Sequence, residues 1–206
     1  MPVNFIRKII LSKINKFHNL DGWLSDNEAI GLYMVAGKLT RNATVVEIGS
    51  WQGKSTYCIS KGLKSGKVYA IDPFNAHGGF DVESEKEYMM RKGRADLLEN
   101  FTENMQQLKV LEKIIIKKGY SYQFHNDFDK INFLFIDGDH SIEGCKSDFN
   151  LYSPKIVHGG FIAFHDYYED RDELGPTYVI KNLVLTSGNF KFFNQYDSLW
   201  IARKTG

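Results

Sequence analysis

Short apolar runs alternate with helical patterns along most of the chain, and this alternation limits the folds that the sequence can adopt. Five runs of four to six residues are almost continuously apolar, as expected for strands that are buried on both faces. They cover residues 44–48, 68–71, 113–116, 131–136 and 160–164. Glycines and helical patterns separate them, which is typical of consecutive βαβ units. The sequence therefore predicts a doubly wound, three-layer α/β sandwich on a mostly parallel sheet.

Helices and a final strand pair complete the predicted fold. Helical patterns cover residues 54–64, 94–109, 120–125, 142–153 and 176–187. The tail adds two strands, at 190–193 and 198–202, and the short turn between them predicts an antiparallel pair. We therefore expect a sheet of seven strands.

The segment before the first strand is predicted to be helical. An amphipathic pattern covers residues 3–17, and Ser25 with Glu28 three residues later forms a capping box that opens a second helix. We expect residues 1–40 to form a helical cap on a single globular domain at 41–206. The first helix carries four basic residues, and we favour a solvated helix face over a membrane-surface role for it.

Composition says little about partners and favours a reducing compartment. The 26 lysines and arginines nearly balance the 25 aspartates and glutamates, so no overall field would attract nucleic acid. Cys58 and Cys145 lie far apart without a CxxC spacing, which argues against a disulfide scaffold or a structural zinc site. Charged residues interrupt the apolar run at 5–11, so we predict neither a secretory leader nor a membrane span. We expect a cytoplasmic protein.

The turn after the first strand is informative about function. Residues 47–55 read Glu-Ile-Gly-Ser-Trp-Gln-Gly-Lys-Ser and open a helix, where doubly wound folds bind ligands. Three residues separate Gly49 from Gly53, one too few for a P-loop, and the dinucleotide fingerprint GxGxxG is absent. Glu47 would repel a phosphate and suits a ligand with an ammonium and a sulfonium. After the second strand, Asp72 is placed to bind two ribose hydroxyls, although Asp-Pro pairs are also common in turns.

Ionisable residues also follow the fourth and fifth strands. Asp137 and Asp139 follow the fourth strand and His165 and Asp166 the fifth, and neighbouring parallel strands end at the same edge of a sheet. Clustered carboxylates repel one another unless a cation or protons intervene, so Asp137, His165 and Asp166 are predicted to hold a divalent ion. Ordinary acids at loop ends are the alternative. An imidazole is a poor magnesium ligand, so either the ion differs or His165 acts as a base.

These motifs resemble class I S-adenosylmethionine-dependent methyltransferases over nearly the whole chain. The shared features are ExGxxxG after the first strand, an acid after the second and a Gly-Gly turn before the fifth. Residues 135–141 (Phe-Ile-Asp-Gly-Asp-His-Ser) and 159–167 (Gly-Gly-Phe-Ile-Ala-Phe-His-Asp-Tyr) resemble the branch with macrocin-type and sugar O-methyltransferases. The resemblance implies strand order 3-2-1-4-5-7-6 with the last strand antiparallel, and S-adenosylmethionine as the cofactor.

The resemblance also assigns roles around that cofactor. It implies that Glu47 addresses the amino end of the methionine, that residues 49–53 line it and that Asp72 holds the ribose. Ser121 matches the position that meets adenine, although a small residue at this point is as readily a helix cap. The implied cofactor-binding set is Glu47, Gly49, Ser50, Trp51, Gly53, Asp72, Ser121 and Asp137.

The implied reaction is methyl transfer to a hydroxyl of a small molecule or sugar, assisted by a divalent cation, magnesium or manganese. Asp139 matches the base of sugar O-methyltransferases, and His140 takes the place of the catalytic lysine in catechol-type relatives. Either residue could instead cap the helix near Ser141. A non-catalytic S-adenosylmethionine sensor and a metal-dependent hydrolase or oxygenase are the alternatives. We expect no nucleic-acid partner, and the sequence is compatible with a homo-oligomer.

The connection at 74–93 is long for a βα loop and is predicted to be a mobile lid. It contains the pair Gly78-Gly79 and a charged run at 81–86. Aromatic residues near this rim either face the acceptor or pack against the domain. These residues are His77, Tyr88, Tyr167 and Tyr168.

Overall fold

The computed structural model describes residues 3–77 and 82–206, and within these residues the chain forms one seven-stranded sheet. The strands are β1 (Ala43–Ile48), β2 (Gly66–Asp72), β3 (Ile114–Lys118), β4 (Ile131–Ile136), β5 (Ile156–Phe164), β6 (Phe190–Tyr196) and β7 (Leu199–Lys204). Their order is β3-β2-β1-β4-β5-β7-β6. Strand β7 is antiparallel to both of its neighbours, and the other neighbouring strands pair in parallel. The predicted fold class and strand order are confirmed.

Helices cover both faces of this sheet. In the described part of the chain they are α1 (Val3–Ile14), α2 (Asp26–Lys38), α3 (Lys54–Gly62), α4 (Val82–Lys92), α5 (Leu97–Gln107), α6 (Ile142–Tyr152) and α7 (Gly175–Val179). Helices α3, α5 and α6 agree with the helices predicted at 54–64, 94–109 and 142–153 to within three residues at each end. The 3.6-residue apolar periodicity that predicted them comes from the faces that they bury against the sheet.

Two predicted helices differ from the structure. Residues 120–125 form two short 3-10 turns, Ser121–Gln123 and His125–Asp127, because a six-residue segment is too short to offset the cost of nucleating an α-helix. The helix predicted at 176–187 is α7 followed by a π-helical turn over Ile180–Val184. The apolar pattern alone does not distinguish the hydrogen bonding of an α-helix from that of a 3-10 or π-helical turn.

The N-terminal helices form largely as predicted. Helix α1 ends at Ile14, and the chain continues as a 3-10 helix over Asn15–Asn19. The capping box is confirmed: the Glu28 backbone N–H donates to Ser25 Oγ at 3.2 Å, and the Ser25 N–H donates to Glu28 Oε2 at 2.8 Å. Residues Ile30 and Leu32 of α2 belong to the same apolar core as β1, so the cap is continuous with the sheet domain.

The connection predicted as a lid contains α4. Its glycine pair and Asp81 lie outside the described residues. No residue of α4 is fully buried, and the helix has ion pairs between neighbouring turns, with Arg91 Nε 3.1 Å from Glu87 Oε1 and Lys86 Nζ 3.0 Å from Glu83 Oε1. Because a mostly polar helix has little apolar periodicity, the sequence analysis interpreted it as a loop.

Both faces of the sheet are buried, which makes the sandwich three-layered. Val45 packs in the core shared with α1, α2, α3 and α5, whereas its neighbour Val46 packs with α6 and the α7 segment. Both valines are completely buried. Successive strand residues point to opposite faces, so a continuous apolar run requires cover on both sides. None of the helices in the described residues is long and apolar enough to cross a membrane.

Candidate donor and acceptor site

A cavity of about 540 Å³ lies at the carboxyl ends of the parallel strands. It brings together residues that follow each of the strands β1 to β5. The predicted site residues that line it are Gly49, Ser50, Trp51, Asp72, Ser121, Asp137, Asp139, His140, His165 and Asp166. Among the described residues, Glu47 and Gly53 lie behind this lining rather than in it. The topology thus places most of the predicted set around one space.

The glycine turn after β1 is shaped by close packing. Gly49 has a φ of 88°, and a Cβ there would collide with the backbone carbonyl of Asp137 at the end of β4. Gly53 has a φ of 91° and caps α3, where a Cβ would strike the Met105 side chain of α5. Both positions need glycine for backbone conformation and space. Gly53 therefore has a packing role behind the cavity wall.

Asp72 holds the glycine turn in place. Its Oδ2 accepts the backbone N–H groups of Ser50 at 2.9 Å and Trp51 at 2.8 Å, and its Oδ1 accepts that of Phe74 at 2.5 Å. Trp51 has a φ of 47°, so these bonds support a left-handed conformation that a tryptophan rarely adopts. Burial raises the pKa of Asp72, and the backbone hydrogen bonds oppose that rise. The carboxylate also lines the cavity, so ribose binding remains a prediction for it.

Glu47 is completely buried beneath the turn. Its Oε2 accepts hydrogen bonds from Thr56 Oγ1 at 2.5 Å and Ser50 Oγ at 3.2 Å, while no hydrogen bond to Oε1 is found among the described residues. Burial raises the pKa of Glu47 to about 7; hydrogen bonds from the Ser55, Thr56 and Ser50 side chains oppose this rise, and the Asp137 carboxylate adds to it. A nearby cationic group would stabilise the ionised carboxylate.

The residues after β4 and β5 form an acid–imidazole cluster, which comprises Asp137, His140, His165 and Asp166. His140 Nε2 lies 3.0 Å from Asp166 Oδ2 and 3.8 Å from Asp137 Oδ1. His165 Nδ1 lies 3.1 Å from Asp137 Oδ1 and 3.3 Å from Asp166 Oδ2. Both imidazoles thus face the same two carboxylates. One ligand atom each from Asp137, His140 and Asp166 lies within 4.8 Å of the others, a spacing that suits a metal ion.

Charges in the acid–imidazole cluster stabilise one another. Burial alone would lower the pKa of His140, but the neighbouring carboxylates of Asp137 and Asp166 raise it to about 10. The same carboxylates hold the pKa of His165 well above its usual range despite its burial. The two imidazoles in turn lower the pKa of Asp166, although burial opposes this shift. The two carboxylates therefore favour the protonated form of both imidazoles.

Glu28 of α2 extends the acid–imidazole cluster from the far side. Its Oε1 accepts the Ser198 hydroxyl at 2.6 Å and the Ser198 N–H at 3.1 Å, while Oε2 lies 3.3 Å from His165 Nε2. Burial would raise the pKa of Glu28, but His165 and the other hydrogen-bond donors lower it to about 2. The sequence analysis found Glu28 only as a helix cap. Its second role depends on a contact across 137 residues of chain, which no local pattern reveals.

The two predicted bases have different surroundings. Asp139 Oδ1 accepts the backbone N–H of Ser141 at 2.8 Å, and Ser141 Oγ accepts that of Gly144 at 3.0 Å, so Ser141 caps α6. Asp139 therefore shapes the turn before the helix while remaining exposed to the cavity. His140, in contrast, is 8% exposed and points into the acid–imidazole cluster.

Ser121 begins a 3-10 turn and also lines the cavity. Its hydroxyl donates to Oδ1 of Asp148, a buried residue of α6, and its backbone carbonyl accepts the Tyr152 hydroxyl at 2.6 Å. Burial raises the pKa of Asp148 to about 7, although the Ser121 hydrogen bond opposes the rise. Asp148 was not among the predicted site residues, because nothing in an amphipathic helix pattern distinguishes a cavity-facing acid from a solvated one.

Aromatic rings connect α4 to the glycine turn. The Tyr88 ring lies 4.8 Å from Trp23 and 5.6 Å from Trp51, and the Arg91 guanidinium lies 4.2 Å above the Trp23 ring. Arg91 also pairs with Asp21 at 3.0 Å. Burial raises the pKa of Tyr88, as do the carboxylates of the acid–imidazole cluster. Tyr88 therefore lies between the aromatic contacts and that cluster.

The other rim residues divide between two environments. His77 and Tyr168 line the cavity together with Tyr88, and His77 Nδ1 also pairs with the Glu85 carboxylate. Tyr167 packs 6.3 Å from the Trp200 ring and, within the described part of the chain, is not part of the cavity wall.

Comparison with known proteins identifies the class to which this fold and cavity belong. A sequence model of a methyltransferase domain family matches residues 46–167, from β1 to just after β5. The chain belongs to this family of methyltransferase domains. The match, the strand order and the glycine turn together confirm the resemblance to class I S-adenosylmethionine-dependent methyltransferases.

Individual relatives are distant. An uncharacterised protein of Acanthamoeba polyphaga mimivirus is 27% identical over 144 residues, which are 62% of this chain and 53% of that protein. The chain thus aligns with about half the length of this curated relative.

Solved structures share the whole fold at low identity. The O-methyltransferase TomG from Streptomyces achromogenes, which is involved in tomaymycin synthesis and was solved with S-adenosylmethionine, has a TM-score of 0.63 at 16% identity over 96% of this chain and 90% of its own. A methyltransferase from Geobacter sulfurreducens has a TM-score of 0.63 at 13% identity, covering 100% of this chain and 89% of its own. The O-methyltransferase NovP has a TM-score of 0.66 at 14% identity, covering 88% of this chain and 81% of its own.

Proposed function

We propose that the protein transfers the methyl group of S-adenosylmethionine to a hydroxyl oxygen of a small molecule. The observation that carries this proposal is that one cavity joins the glycine turn and Asp72 to the acid–imidazole cluster. The glycine turn and Asp72 suit a cationic nucleoside donor, and the acid–imidazole cluster suits an acceptor hydroxyl that loses its proton. Structures of O-methyltransferases with the same fold support this proposal.

The charge of the cavity near the glycine turn favours a cationic donor. Glu47 is a buried carboxyl group whose Oε1 accepts no hydrogen bond within the described part of the chain, and its pKa is raised to about 7, so a cationic ligand above it would stabilise its ionised form. The amino group of S-adenosylmethionine supplies such a charge, and the neighbouring Asp72, which lines the same cavity, is the residue that we propose for the ribose hydroxyls. A phosphate-bearing cofactor would instead meet two acids and no P-loop.

The charge of the cavity lining limits the kinds of acceptor that can bind. Seven acidic side chains line the cavity, and they outnumber the basic groups even when His140 and His165 are counted with Lys54 and Arg171. The acids are Asp21, Asp72, Glu87, Asp137, Asp139, Asp148 and Asp166. Acceptors with phosphate or carboxylate groups, nucleic acids included, are disfavoured by this field. We therefore propose a neutral or cationic acceptor, such as a sugar or a phenol.

A divalent cation suits the acid–imidazole cluster. Asp137, His140 and Asp166 offer two carboxylate oxygens and an imidazole nitrogen within 4.8 Å, a donor set that fits manganese, iron or zinc better than magnesium. This proposed set has His140 where the sequence analysis placed His165, whose Nδ1 approaches the same carboxylates. A bound ion would lower the proton affinity of the acceptor hydroxyl, and its binding requires an unprotonated His140.

The chain's own residues then position the reactants. Methyl transfer is an in-line displacement, so the acceptor oxygen must lie close to the methyl carbon and opposite the sulfur. With His140 assigned to the cation, Asp139 is the base that we propose, because it borders the cavity and commits only Oδ1, to the Ser141 N–H. Asp139→Asn should then lower turnover and leave donor binding intact.

The proposed function is tested by incubating the protein with S-adenosylmethionine and a panel of sugars and catechols, in the presence of Mn²⁺, Mg²⁺ or a chelator. Mass spectrometry should detect a methyl ether and an equal amount of S-adenosylhomocysteine. Calorimetry with S-adenosylhomocysteine provides the independent measurement of the donor site. If S-adenosylhomocysteine does not bind, the assignment of the cavity as a donor site is wrong.

A further inference from the structure

The outer face of α1 exposes a compact group of apolar side chains. Phe5 is 51% exposed, Ile6 42% and Ile9 38%. A different face of the helix packs on the domain, since Ile10 and Ile14 are buried in the core that α1 shares with α2 and α3. Single exposed apolar residues are normal on a protein surface, but a contiguous group marks an interaction site. In the described part of the chain, nothing covers this second apolar face.

Basic side chains accompany this apolar group. Lys13 continues the row of Phe5 and Ile9 at four-residue spacing, which places the three side chains along one side of the helix. No acidic residue occurs before position 21. Across residues 3–77 and 82–206, none of the four bases of this segment forms an ion pair. These bases are Arg7, Lys8, Lys13 and Lys16.

An anionic lipid surface is the partner that fits both features of α1. Apolar side chains of a helix that lies on such a surface enter the boundary between headgroups and acyl chains. Lysines beside them reach the lipid phosphates through their flexible stems. Each nearby lysine or arginine adds to the attraction of an anionic leaflet. The four bases therefore complement the charge of this surface, and the apolar group adds the hydrophobic contact that a purely electrostatic attraction lacks.

A second copy of the chain fits this face less well. A two-fold contact brings the same patch of both subunits together, so the bases of α1 would face the bases of its partner. Like charges opposed across an interface lower the affinity. A soluble acidic partner would match the bases but would not require the exposed Phe5, Ile6 and Ile9. Charge and apolar exposure together thus favour the lipid surface.

We propose that α1 docks the protein on an anionic lipid surface, with Phe5 and Ile9 inserted among the lipids and Lys8 and Lys13 at the phosphate groups. The sequence pattern alone favours a solvated face for this helix, and the structure adds that three large apolar residues lie outside its packed face. Docking needs no unfolding of α1, because Ile10 and other buried residues keep the helix on the domain. The inference does not depend on the proposed methyl transfer.

Vesicle flotation tests this proposal with the whole chain. The protein should bind vesicles of phosphatidylcholine with about 30% phosphatidylglycerol at least about tenfold more tightly than vesicles of phosphatidylcholine alone. Salt at about 0.5 M should remove most of this difference. Phe5→Ser combined with Ile9→Ser should weaken binding to the anionic vesicles by about tenfold or more. Lys8→Gln combined with Lys13→Gln should have an effect of about the same size.

Two double variants at other parts of the surface are the matched controls. Leu185→Ser combined with Phe192→Ser removes two exposed apolar side chains. Lys130→Gln combined with Lys146→Gln removes two exposed positive charges. Both control proteins should bind the anionic vesicles as tightly as the wild type, because neither change touches α1.

A fluorescent label locates the contact. Cys58 and Cys145 are both buried, so a cysteine introduced at the surface can be labelled selectively. An environment-sensitive dye attached after Ile9→Cys should shift its emission to shorter wavelengths when anionic vesicles are added. The same dye attached after Thr186→Cys, at another exposed position, should keep its emission unchanged.

The results separate the lipid surface from the other partners. Equal binding to neutral and anionic vesicles, or binding to neither, overturns the proposal whether or not the variants fold. An unshifted dye at position 9 also overturns it. If the lysine variant loses binding and the Phe5→Ser, Ile9→Ser variant keeps it, α1 attracts polyanions in general and the lipid surface is wrong. If the wild type self-associates without lipid and the Phe5→Ser, Ile9→Ser variant is monomeric, the face is an interface between copies instead.

Discussion

Glu28 of the second helix faces His165, the residue that follows β5, with 3.3 Å between Glu28 Oε2 and His165 Nε2. The opposite ring nitrogen, Nδ1, faces Asp137 and Asp166. A carboxylate behind a histidine fixes the orientation of the ring and supports its positive charge. The N-terminal cap therefore contributes a positioning residue to the rim of the sheet.

Glu28→Gln should lower the free energy of unfolding by about 1–3 kcal/mol at pH 7, because His165 would lose a buried counter-charge. The lowered pKa of Glu28, about 2, also sets a pH dependence. Its stabilising contribution is present above the unfolded pKa near 4.5 and is lost as the pH falls towards 2. Urea unfolding of both proteins from pH 7 to pH 3 measures this. Equal stability at pH 7, with exposed Glu103→Gln as the control, would contradict the assigned contact.

Glu47→Gln should make the protein more stable and, at the same time, weaken the binding of the donor product. Because the folded-state pKa of about 7 exceeds the unfolded value of 4.5, ionisation of Glu47 costs stability as the pH rises through this window. The variant should therefore be more stable than the wild type at pH 8, by up to about 3 kcal/mol, and closely similar at pH 4. It should also bind S-adenosylhomocysteine more weakly. Thermal unfolding at the two pH values and calorimetry provide the check; a gap in stability that does not change with pH would refute the raised pKa.

The proposed cation site makes a prediction about Asp166. Asp166→Asn should weaken Mn²⁺ binding by about tenfold or more, since one carboxylate of the donor set is lost. Exposed Asp170→Asn is a nearby control of the same type. Electron paramagnetic resonance of free Mn²⁺ measures the affinity. His140→Gln and His165→Gln in the same experiment identify the histidine that binds the ion. His140→Gln should abolish Mn²⁺ binding. A larger loss of affinity with His165→Gln would favour the ligand set predicted from the sequence, which contains His165.

The aromatic contacts of α4 make a prediction about dynamics. Trp23→Ala removes the ring that contacts both Tyr88 and Arg91, so α4 should open more readily. Hydrogen exchange across residues 84–92 should become about 5- to 10-fold faster, while exchange in β1 is unchanged. Phe192→Ala, which removes an exposed aromatic ring of β6, is the control and should leave hydrogen exchange in α4 at the wild-type rate. Unchanged exchange in the Trp23 variant would show that other contacts hold the helix.

The strands and most helices could be predicted because their signals are local, whereas the strand order came from the resemblance to a known family. Runs such as 44–48 and 131–136 are apolar on both faces, and this pattern is sufficient to place them as buried parallel strands. Segment 74–93 was harder, because α4 buries no side chain fully and so has little apolar periodicity. The two 3-10 turns between β3 and β4 are decided by hydrogen bonds that composition does not specify.

The sequence by itself determined which residues reach the ends of the strands, because strand length and alternation are properties of neighbouring side chains. Asp72, Asp137 and Asp166 were therefore found from the chain alone. Only the tertiary structure decided what these residues meet: Glu28 beside His165, and Asp148 beside Ser121, are separated by 137 and 27 positions in the chain. Burial and charge act through space, so the pairing of these groups and their shifted pKa values follow from the packing of helices onto the sheet.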